Sequence, residues 1–219
     1  MLALAATDAA EGDWLIADRQ TAGRGRMGRD WESPVGNLYA SGLVRLRPGD
    51  PPAATLALMT AIALYDTVSI WAPDILLKWP NDVLSSSGAK LSGILLERAG
   101  DAVVIGLGLN LVHHPENFDR PVTSIAALGF AAPEPVTVIE TFAETFGGWL
   151  ARWRGESLAE IRVAWLARAH PIGTALTANL PDGESIDGLF DGLTDACALR
   201  LRLADGIVRV IHAGDVFLI

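Results

Sequence analysis

The sequence is poor in cysteine, in charge and in long apolar runs. Its 219 residues include one cysteine, Cys197, which excludes an internal disulfide and a cysteine-based zinc cage. Only 20% of the residues are charged and 50% are hydrophobic, which excludes a disordered or fibrous chain. The longest apolar stretch, residues 53–64, is too short to cross a bilayer. No basic segment precedes the apolar start, so no signal peptide is predicted and a soluble, cytoplasmic protein is expected.

The charges that are present lie unevenly along the chain. The net charge of -9 argues against a general nucleic-acid binder, because phosphate neutralisation needs clustered Lys and Arg. Four of the fifteen arginines nevertheless fall within the eleven residues from Arg19 to Arg29, with glycines between them. This composition favours an anion-binding loop over a flexible, solvated loop. The only two lysines, Lys78 and Lys90, flank residues 79–82 and predict a second anion-binding element, with two ordinary surface lysines as the alternative.

Apolar patterning predicts an α/β region followed by a small β region. A buried helix is expected from Pro51, and two further helices begin near Val136 and at Ser157, the last with a Ser157–Glu160 capping box. From residue 174, short strands alternate with Gly and Asp turns, which predicts a small β-barrel. The domains are therefore predicted at 1–173 and 174–219. Strands are predicted at residues 14–18, 37–46 and 75–79, with a hairpin at 90–97 and 102–111.

The glycine-rich segment Gly23–Arg29 formally matches G-x-G-x-x-G, but its setting excludes a dinucleotide site. Such a site needs a helix directly after the glycines, and residues 30–36 do not form one. Gly106, Gly108 and Asn110 share one face of a predicted strand, which leaves room for a ligand or for a closely packed element. No pattern predicts a covalent nucleophile or a metal site.

Five short segments of the sequence resemble motifs of the bacterial biotin protein ligases, and they follow one another in the family's order. The end of the chain, residues 213–216, is similar to the end of the family's SH3-like domain. The resemblance implies an α+β fold, in which a mixed β-sheet packed with helices forms a class II synthetase-like catalytic domain, followed by a small C-terminal SH3-like β-barrel. It also implies no repressor role, since a DNA-binding winged helix is not recognised in the sequence. The five segments are ADRQTA at 17–22 with the Gly-Arg loop, WESPVGNLY at 31–39, KWPND at 78–82, KLSGIL at 90–95 and IGLGLN at 105–110.

The resemblance implies an ATP-dependent ligase. Biotin's carboxylate attacks the α-phosphate of ATP to give biotinyl-5′-AMP and pyrophosphate, and a lysine of a biotin carboxyl carrier protein domain then attacks the mixed anhydride. Biotin is the substrate, and ATP and Mg²⁺ are the co-substrate and its ion. No nucleic-acid or membrane partner is expected, and a homodimer is left open. A lipoate-type ligase and a non-catalytic biotin- or nucleotide-binding module are the alternatives; the Gly-Arg loop and the β tail favour biotin.

The resemblance also assigns residues to roles. The expected catalytic residues are Lys90, Arg26 and Asp82, and no protein metal ligand is expected. The residues expected to bind biotin are Gln20, Gly23, Arg24, Arg26, Lys90 and Gly93. Those expected to bind ATP are Arg29, Trp31, Lys78, Asn81 and Asn110. This set agrees with the chemistry, because adenylation needs positioning and charge screening rather than a protein nucleophile.

Two features depart from the family's pattern. Relatives carry a Ser-Thr-Asn segment that lines the biotin pocket, and here the chain begins within the helix that follows it, at residues 2–5. Either a truncated or misassigned start, or weakened biotin binding, is therefore expected. Met27 stands where many relatives have arginine, so closure of the loop is expected to differ.

Overall fold

The computed structural model describes residues 1–7, 9–116 and 120–219. The helices are α1 (Leu2–Ala5), α2 (Leu56–Val68), α3 (Pro135–Gly155) and α4 (Leu158–Leu166). The strands of the first sheet are β1 (Trp14–Ala17), β2 (Leu38–Arg45), β3 (Ile75–Lys78), β4 (Asp82–Ser85), β5 (Lys90–Ala99) and β6 (Ala102–Leu109). The strands of the second sheet are β7 (Ala175–Asn179), β8 (Ser185–Leu193), β9 (Leu199–Arg202), β10 (Val208–Ile211) and β11 (Asp215–Leu218).

The first sheet has the strand order β1-β2-β6-β5-β4-β3. Its strands pair antiparallel, and the predicted hairpin forms β5 and β6, with Ala99 opposite Ala102 at the turn. Isolated parallel bridges at Lys90–Val122 and Leu77–Ala169 make the pairing mixed. This arrangement places the starts of β4 and β5 and the ends of β3 and β6 at one end of the sheet.

Helices α2 and α3 pack against the first sheet, and α4 packs against α2 and against β8 of the second sheet. Helix α2 is apolar on nearly every side because it contacts the sheet as well as α3 and α4, so most of its residues are buried. The indole N–H groups of two α3 tryptophans find acceptors near the two ends of α2. Trp153 Nε1 donates to Thr55 Oγ1 (2.8 Å), and Trp149 Nε1 donates to Asp66 Oδ2 (2.9 Å). Within the described residues, no helix is both long and apolar enough to cross a membrane.

The predicted capping box of α4 is wrong. Ser157 is the N-cap residue, but its side chain makes no capping hydrogen bond. The backbone N–H of Glu160 instead donates to the carbonyl oxygen of Ser157 at 3.1 Å. The reciprocal side-chain hydrogen bonds expected of a capping box are therefore absent between Ser157 and Glu160, and a backbone hydrogen bond joins these residues instead.

The second sheet forms the small C-terminal β domain that the sequence predicts, but within the described residues it is an open antiparallel sheet rather than a closed barrel. Its order is β10-β9-β8-β7-β11, so in the described part of the chain β10 and β11 are the two edges. Closure would require β11 to pair with β10. Instead, β11 pairs with β7 only, and the carbonyl oxygen of Val216 accepts a hydrogen bond from Lys78 of the first sheet (2.5 Å). Strand β11 is thereby held against the end of the first sheet.

One hydrophobic cluster runs through both sheets. It includes Leu77 of β3 and Trp79 directly after that strand, together with Leu176 and Phe190 from the second sheet. Trp79 Nε1 also donates to the carbonyl oxygen of the buried Cys197 at 3.2 Å. The proposed division of the chain at residue 173 stays a prediction, since these side chains form a shared core.

Candidate functional site

The Gly-Arg segment forms a tight turn. The N–H of Gly25 donates to the carbonyl of Arg29 (2.7 Å), and the N–H of Trp31 donates to that of Gly23 (3.0 Å). A single 3₁₀ turn, Arg26–Gly28, lies at its tip, and no α-helix follows it. The glycines therefore form a turn rather than the start of an α-helix, which agrees with the exclusion of a dinucleotide-binding site from the sequence.

Gly23 is needed for the turn to close. A Cβ at this position would collide with the carbonyl oxygen of Trp31 and would lie 2.8 Å from Gln20 Oε1. Gln20 Oε1 also accepts a hydrogen bond from Ser33 Oγ at 3.0 Å. Gly23 is thus required for the tight turn, and Gln20 is oriented by Ser33 in the segment that follows the loop.

Lys78, Asp82 and Lys90 form a buried cluster at the end of the first sheet. Strand pairing places Lys78 of β3 opposite Asp82 of β4, and Asp82 opposite Gly93 of β5. Asp82 Oδ2 lies 2.8 Å from Lys78 Nζ, and Asp82 Oδ1 lies 2.5 Å from Lys90 Nζ. The two lysines are therefore not ordinary surface residues; a single carboxylate holds both of them.

Burial and charge act in opposite directions on this cluster. Burial would raise the pKa of Asp82, but the charges and hydrogen bonds of Lys90 and Lys78 outweigh it and lower the pKa below its ordinary value. Burial lowers the pKa of Lys90, and Asp82 offsets part of that shift. Asp82 is consequently a carboxylate, which makes it a holder of two ammonium groups rather than a general base.

The loop arginines reach the first and second sheets. Arg26 donates to Asn81 Oδ1 and to the carbonyl of Gly214, both at 3.2 Å. Arg29 Nη2 lies 2.9 Å from Asp215 Oδ2, and Arg26 Nη1 lies 3.7 Å from Asp215 Oδ1. The loop, the first sheet and strand β11 therefore meet at these two guanidinium groups.

Trp31 occupies the glycine face that the sequence left open. A Cβ on Gly108 would lie 2.6 Å from the Trp31 ring, and one on Gly93 would lie 3.4 Å from the ring and 3.0 Å from Lys90 Nζ. Lys90 Nζ is 5.7 Å from the centre of a Trp31 ring. Trp31 Nε1 is buried and has no hydrogen-bond partner among the described residues. The glycines thus leave room for the aromatic ring against the sheet.

Two buried asparagines hold the neighbouring backbone. Asn81 donates from Nδ2 to the carbonyl of Ile94, which leaves Oδ1 for Arg26. Asn110 follows β6 and donates from Nδ2 to the carbonyl of Thr123 at 3.0 Å. Arg24, by contrast, lies at the exposed rim and forms a long ion pair with Glu97 (3.7 Å).

These groups surround one cavity of about 190 Å³. Gly23 belongs to the turn but does not line the cavity, whereas the other predicted site residues do. The residues at the cavity that the sequence did not assign to the site include Arg120, Asp215 and Val216. The predicted residues at the cavity are Gln20, Arg24, Arg26, Arg29, Trp31, Lys78, Asn81, Asp82, Lys90, Gly93 and Asn110.

The chain matches two family models that cover most of its length. Residues 4–110 match the biotin/lipoate A/B protein ligase family, and residues 172–219 match the biotin protein ligase C-terminal domain. The biotin–[acetyl-CoA-carboxylase] ligase of Paracoccus denitrificans is 38% identical over 217 residues, covering 93% of this chain and 89% of that protein. The enzyme of the same name from Mycobacterium tuberculosis is 36% identical over 225 residues, covering 99% and 83%.

Solved structures share the fold. The biotin protein ligase of Aquifex aeolicus, in complex with biotin and ATP, superposes with a TM-score of 0.88 at 24% identity. That alignment covers 100% of this chain and 94% of the Aquifex chain. The agreement extends over both sheets and therefore includes the strands that surround the cavity.

Proposed function

The chain belongs to the biotin protein ligase family, and from that premise we propose that it is an ATP-dependent biotin–[acetyl-CoA-carboxylase] ligase. It activates biotin as biotinyl-5′-AMP and transfers the biotinyl group to a lysine of a carboxyl carrier protein. One observation carries the proposal. The arginine loop is far from the only two lysines in sequence. In the structure, the loop and both lysines line the same cavity, beside a buried carboxylate.

The charge distribution suits the first step. A carboxylate and a phosphate brought to about 4 Å repel by roughly 4 kcal/mol at an effective dielectric near 20. We assign Lys90 to the carboxylate and the α-phosphate, and Lys78 to the phosphates. Because Asp82 holds both ammonium groups before substrates bind, little reorganisation is needed when negative charge builds up.

The first step forms a carboxylate oxygen–phosphorus bond and breaks the bond between the α-phosphorus and the bridging oxygen, releasing pyrophosphate. We assign Arg26 to the developing charge, since its guanidinium group lies at the cavity beside Asn81. Gln20, Arg24 and Gly93, which line the cavity, are assigned to biotin, and Gly23 is assigned to the turn that places Arg24 there. The remaining residues, Arg29, Trp31, Asn81 and Asn110, are assigned to ATP.

In the second step, the carrier's lysine amine attacks the carbonyl carbon of the mixed anhydride. A carbon–nitrogen bond forms, the carbon–oxygen bond to phosphate breaks, and AMP leaves. The Trp31 ring and the loop line the cavity, and we assign to them the exclusion of water that would compete with the amine. The carrier is therefore expected to dock at the rim where Arg24 and Glu97 lie.

Mg²⁺ is proposed as part of the ATP complex. The described residues contain no group of three or more His, Cys, Asp or Glu side chains that could hold a metal ion. Asp82, the buried carboxylate at the cavity, is already bound by two lysines. Mg²⁺ usually keeps several waters and takes substrate phosphates as ligands, where it neutralises charge. The charge screening assigned to the protein therefore rests on Lys78, Lys90 and the loop arginines.

Biotin-dependent release of pyrophosphate from ATP tests the proposal. Parallel reactions contain biotin, lipoate or no acid, with purified protein at matched concentration. Release with biotin only is expected, and labelled biotin should then appear on a carrier domain. Release with lipoate only would establish the lipoate-type ligase. Biotin binding without pyrophosphate release would establish a non-catalytic module.

A further inference from the structure

Strand β11 supplies a carboxylate to the arginine loop. Asp215 accepts from Arg29 Nη2 at 3.0 Å through Oδ1, and the same Nη2 lies 2.9 Å from Oδ2. Arg26 Nη1 lies 3.7 Å from Asp215 Oδ1, and Arg26 Nη2 donates to the neighbouring carbonyl of Gly214. We call Asp215 with Arg26 and Arg29 the Asp215 latch. It joins the tip of the loop to the opposite wall of the cavity.

The latch is the strongest charged link between the loop and the rest of the described chain. The other charged link, Arg24 to Glu97, is 3.7 Å long, and the Arg24 side chain is 62% exposed. Exposed pairs of this kind contribute little. The side chain of Asp215 is only 15% exposed, and it has hydrogen-bond geometry to Arg29. A shielded, charge-assisted bond of this kind is worth more.

We propose that Asp215 is a positioning residue that ties residues 23–29 to β11 and so slows the escape of biotinyl-5′-AMP from the cavity. This inference rests on the proposed function and deepens it, because it assigns retention of the intermediate to the second sheet. Asp215 needs no contact with the reacting atoms for this role. It keeps the two guanidinium groups, and with them the turn, at the mouth of the cavity.

The chain offers a matched control in the same sheet. Asp191 of β8 also lies between two arginines, with Arg200 Nη2 at 2.7 Å and Arg202 Nε at 3.6 Å. Asp191 does not line the cavity. Asp215→Asn and Asp191→Asn therefore remove the same charge from similar pairs, and only the first one reaches the loop.

Limited trypsin proteolysis of the unliganded full chain tests the latch without any substrate. Trypsin cleaves after arginine, so cleavage after Arg26 and Arg29 reports opening of the loop. Asp215→Asn is expected to be cleaved there about fivefold to tenfold faster, as loss of one partly shielded charged pair implies. Asp191→Asn should match the wild type. Equal cleavage of the two variants would overturn the latch.

Release of preformed, labelled biotinyl-5′-AMP into an excess of unlabelled ligand tests retention. Release from Asp215→Asn is expected to be about fivefold to tenfold faster than from Asp191→Asn, and Asp215→Glu should restore part of the difference. Added salt should speed release from the wild type and leave Asp215→Asn nearly unchanged. Faster proteolysis with unchanged release would overturn the retention role. A wild type that forms no adenylate would defeat the proposed function, while the proteolysis would still decide whether the latch exists.

Discussion

The ring of Trp31 lies on the backbone of Gly108, so closely that a Cβ on Gly108 would lie 2.6 Å from ring carbons. This contact explains the glycine in the middle of β6. It also links the loop to the sheet, because Trp31 directly follows the Gly-Arg turn and its ring lies near Lys90. The position of the ring therefore depends on a residue 77 positions away in sequence.

Gly108→Ala is expected to displace Trp31 and to lower kcat/KM for biotin-dependent pyrophosphate release at least tenfold, as misplacement of a binding group near the reacting atoms does. Gly106→Ala is the matched comparison on the same strand and face. Its Cβ would lie 3.6 Å from Leu95, an ordinary contact, so a much smaller loss is expected. Similar activity in the two variants would contradict the proposed role of the Trp31–Gly108 contact.

Lys90→Ala should lower the rate of adenylation about 10²–10³-fold, as for loss of one charge-stabilising donor in a transition state. The variant leaves Asp82 paired with Lys78 alone, so urea unfolding should accompany the kinetics to show that the protein is folded. Lys90→Arg is not expected to restore the rate, since a planar guanidinium group does not fit a site built for a compact ammonium. A loss below tenfold for Lys90→Ala would show that the assigned role is wrong.

Local motifs predicted much of the site because they sit where strands meet. Lys78 and Asp82 are separated by a short turn, and pairing of β3 with β4 brings them together. The helices and the hairpin were likewise predictable from their apolar periodicity. Asp215 was not, since its partner Arg29 is 186 positions away and no spacing rule connects them. The small β domain was predicted, but its open sheet was not, for a similar reason: turn patterns do not reveal that β11 lies against Lys78 rather than against β10.

Asn37 is expected to stabilise the segment that follows Asn110. Its Oδ1 accepts from the N–H groups of Leu111, Val112 and His113, each at 3.0 Å, and its Nδ2 donates to the carbonyl of His113. Asn37→Ala leaves these groups without partners, so a loss of about 2–4 kcal/mol in the free energy of unfolding is expected. A lower urea midpoint with an unchanged m-value would establish the effect.

Asn179→Ala is the control for Asn37→Ala. Asn179 lies at an exposed strand end and accepts one side-chain hydrogen bond from Ser185 at 2.8 Å. Its replacement should change the free energy of unfolding by less than about 0.5 kcal/mol, as exposed substitutions usually do. A comparable loss in both variants would refute the special position of Asn37.

Stability should fall in mild acid because of His170. This side chain is buried against Phe190, with ring centroids 4.4 Å apart, and neither ring nitrogen has a hydrogen-bond partner among the described residues. Burial lowers its pKa from 6.5 to about 4. Between these values the unfolded chain binds more protons than the folded one. The stability that comes from keeping His170 neutral in the folded protein is therefore fully present above about pH 6.5 and is lost as the pH falls towards 4.

The loss is expected to reach about 3 kcal/mol in the free energy of unfolding, since a pKa shift from 6.5 to about 4 corresponds to roughly 1.4 kcal/mol per unit. Urea unfolding at a series of pH values measures it. His170→Phe keeps an aromatic ring against Phe190 and removes the titrating group, so the decline between pH 6.5 and 4 should become shallower. The exposed His212 serves as the control, and His212→Gln should retain the wild-type slope. An unchanged slope in His170→Phe would contradict this assignment, because the Glu11 carboxyl, whose pKa is lowered from 4.5 to about 2 chiefly by its hydrogen bond to Arg154, loses its contribution mainly below that pH range.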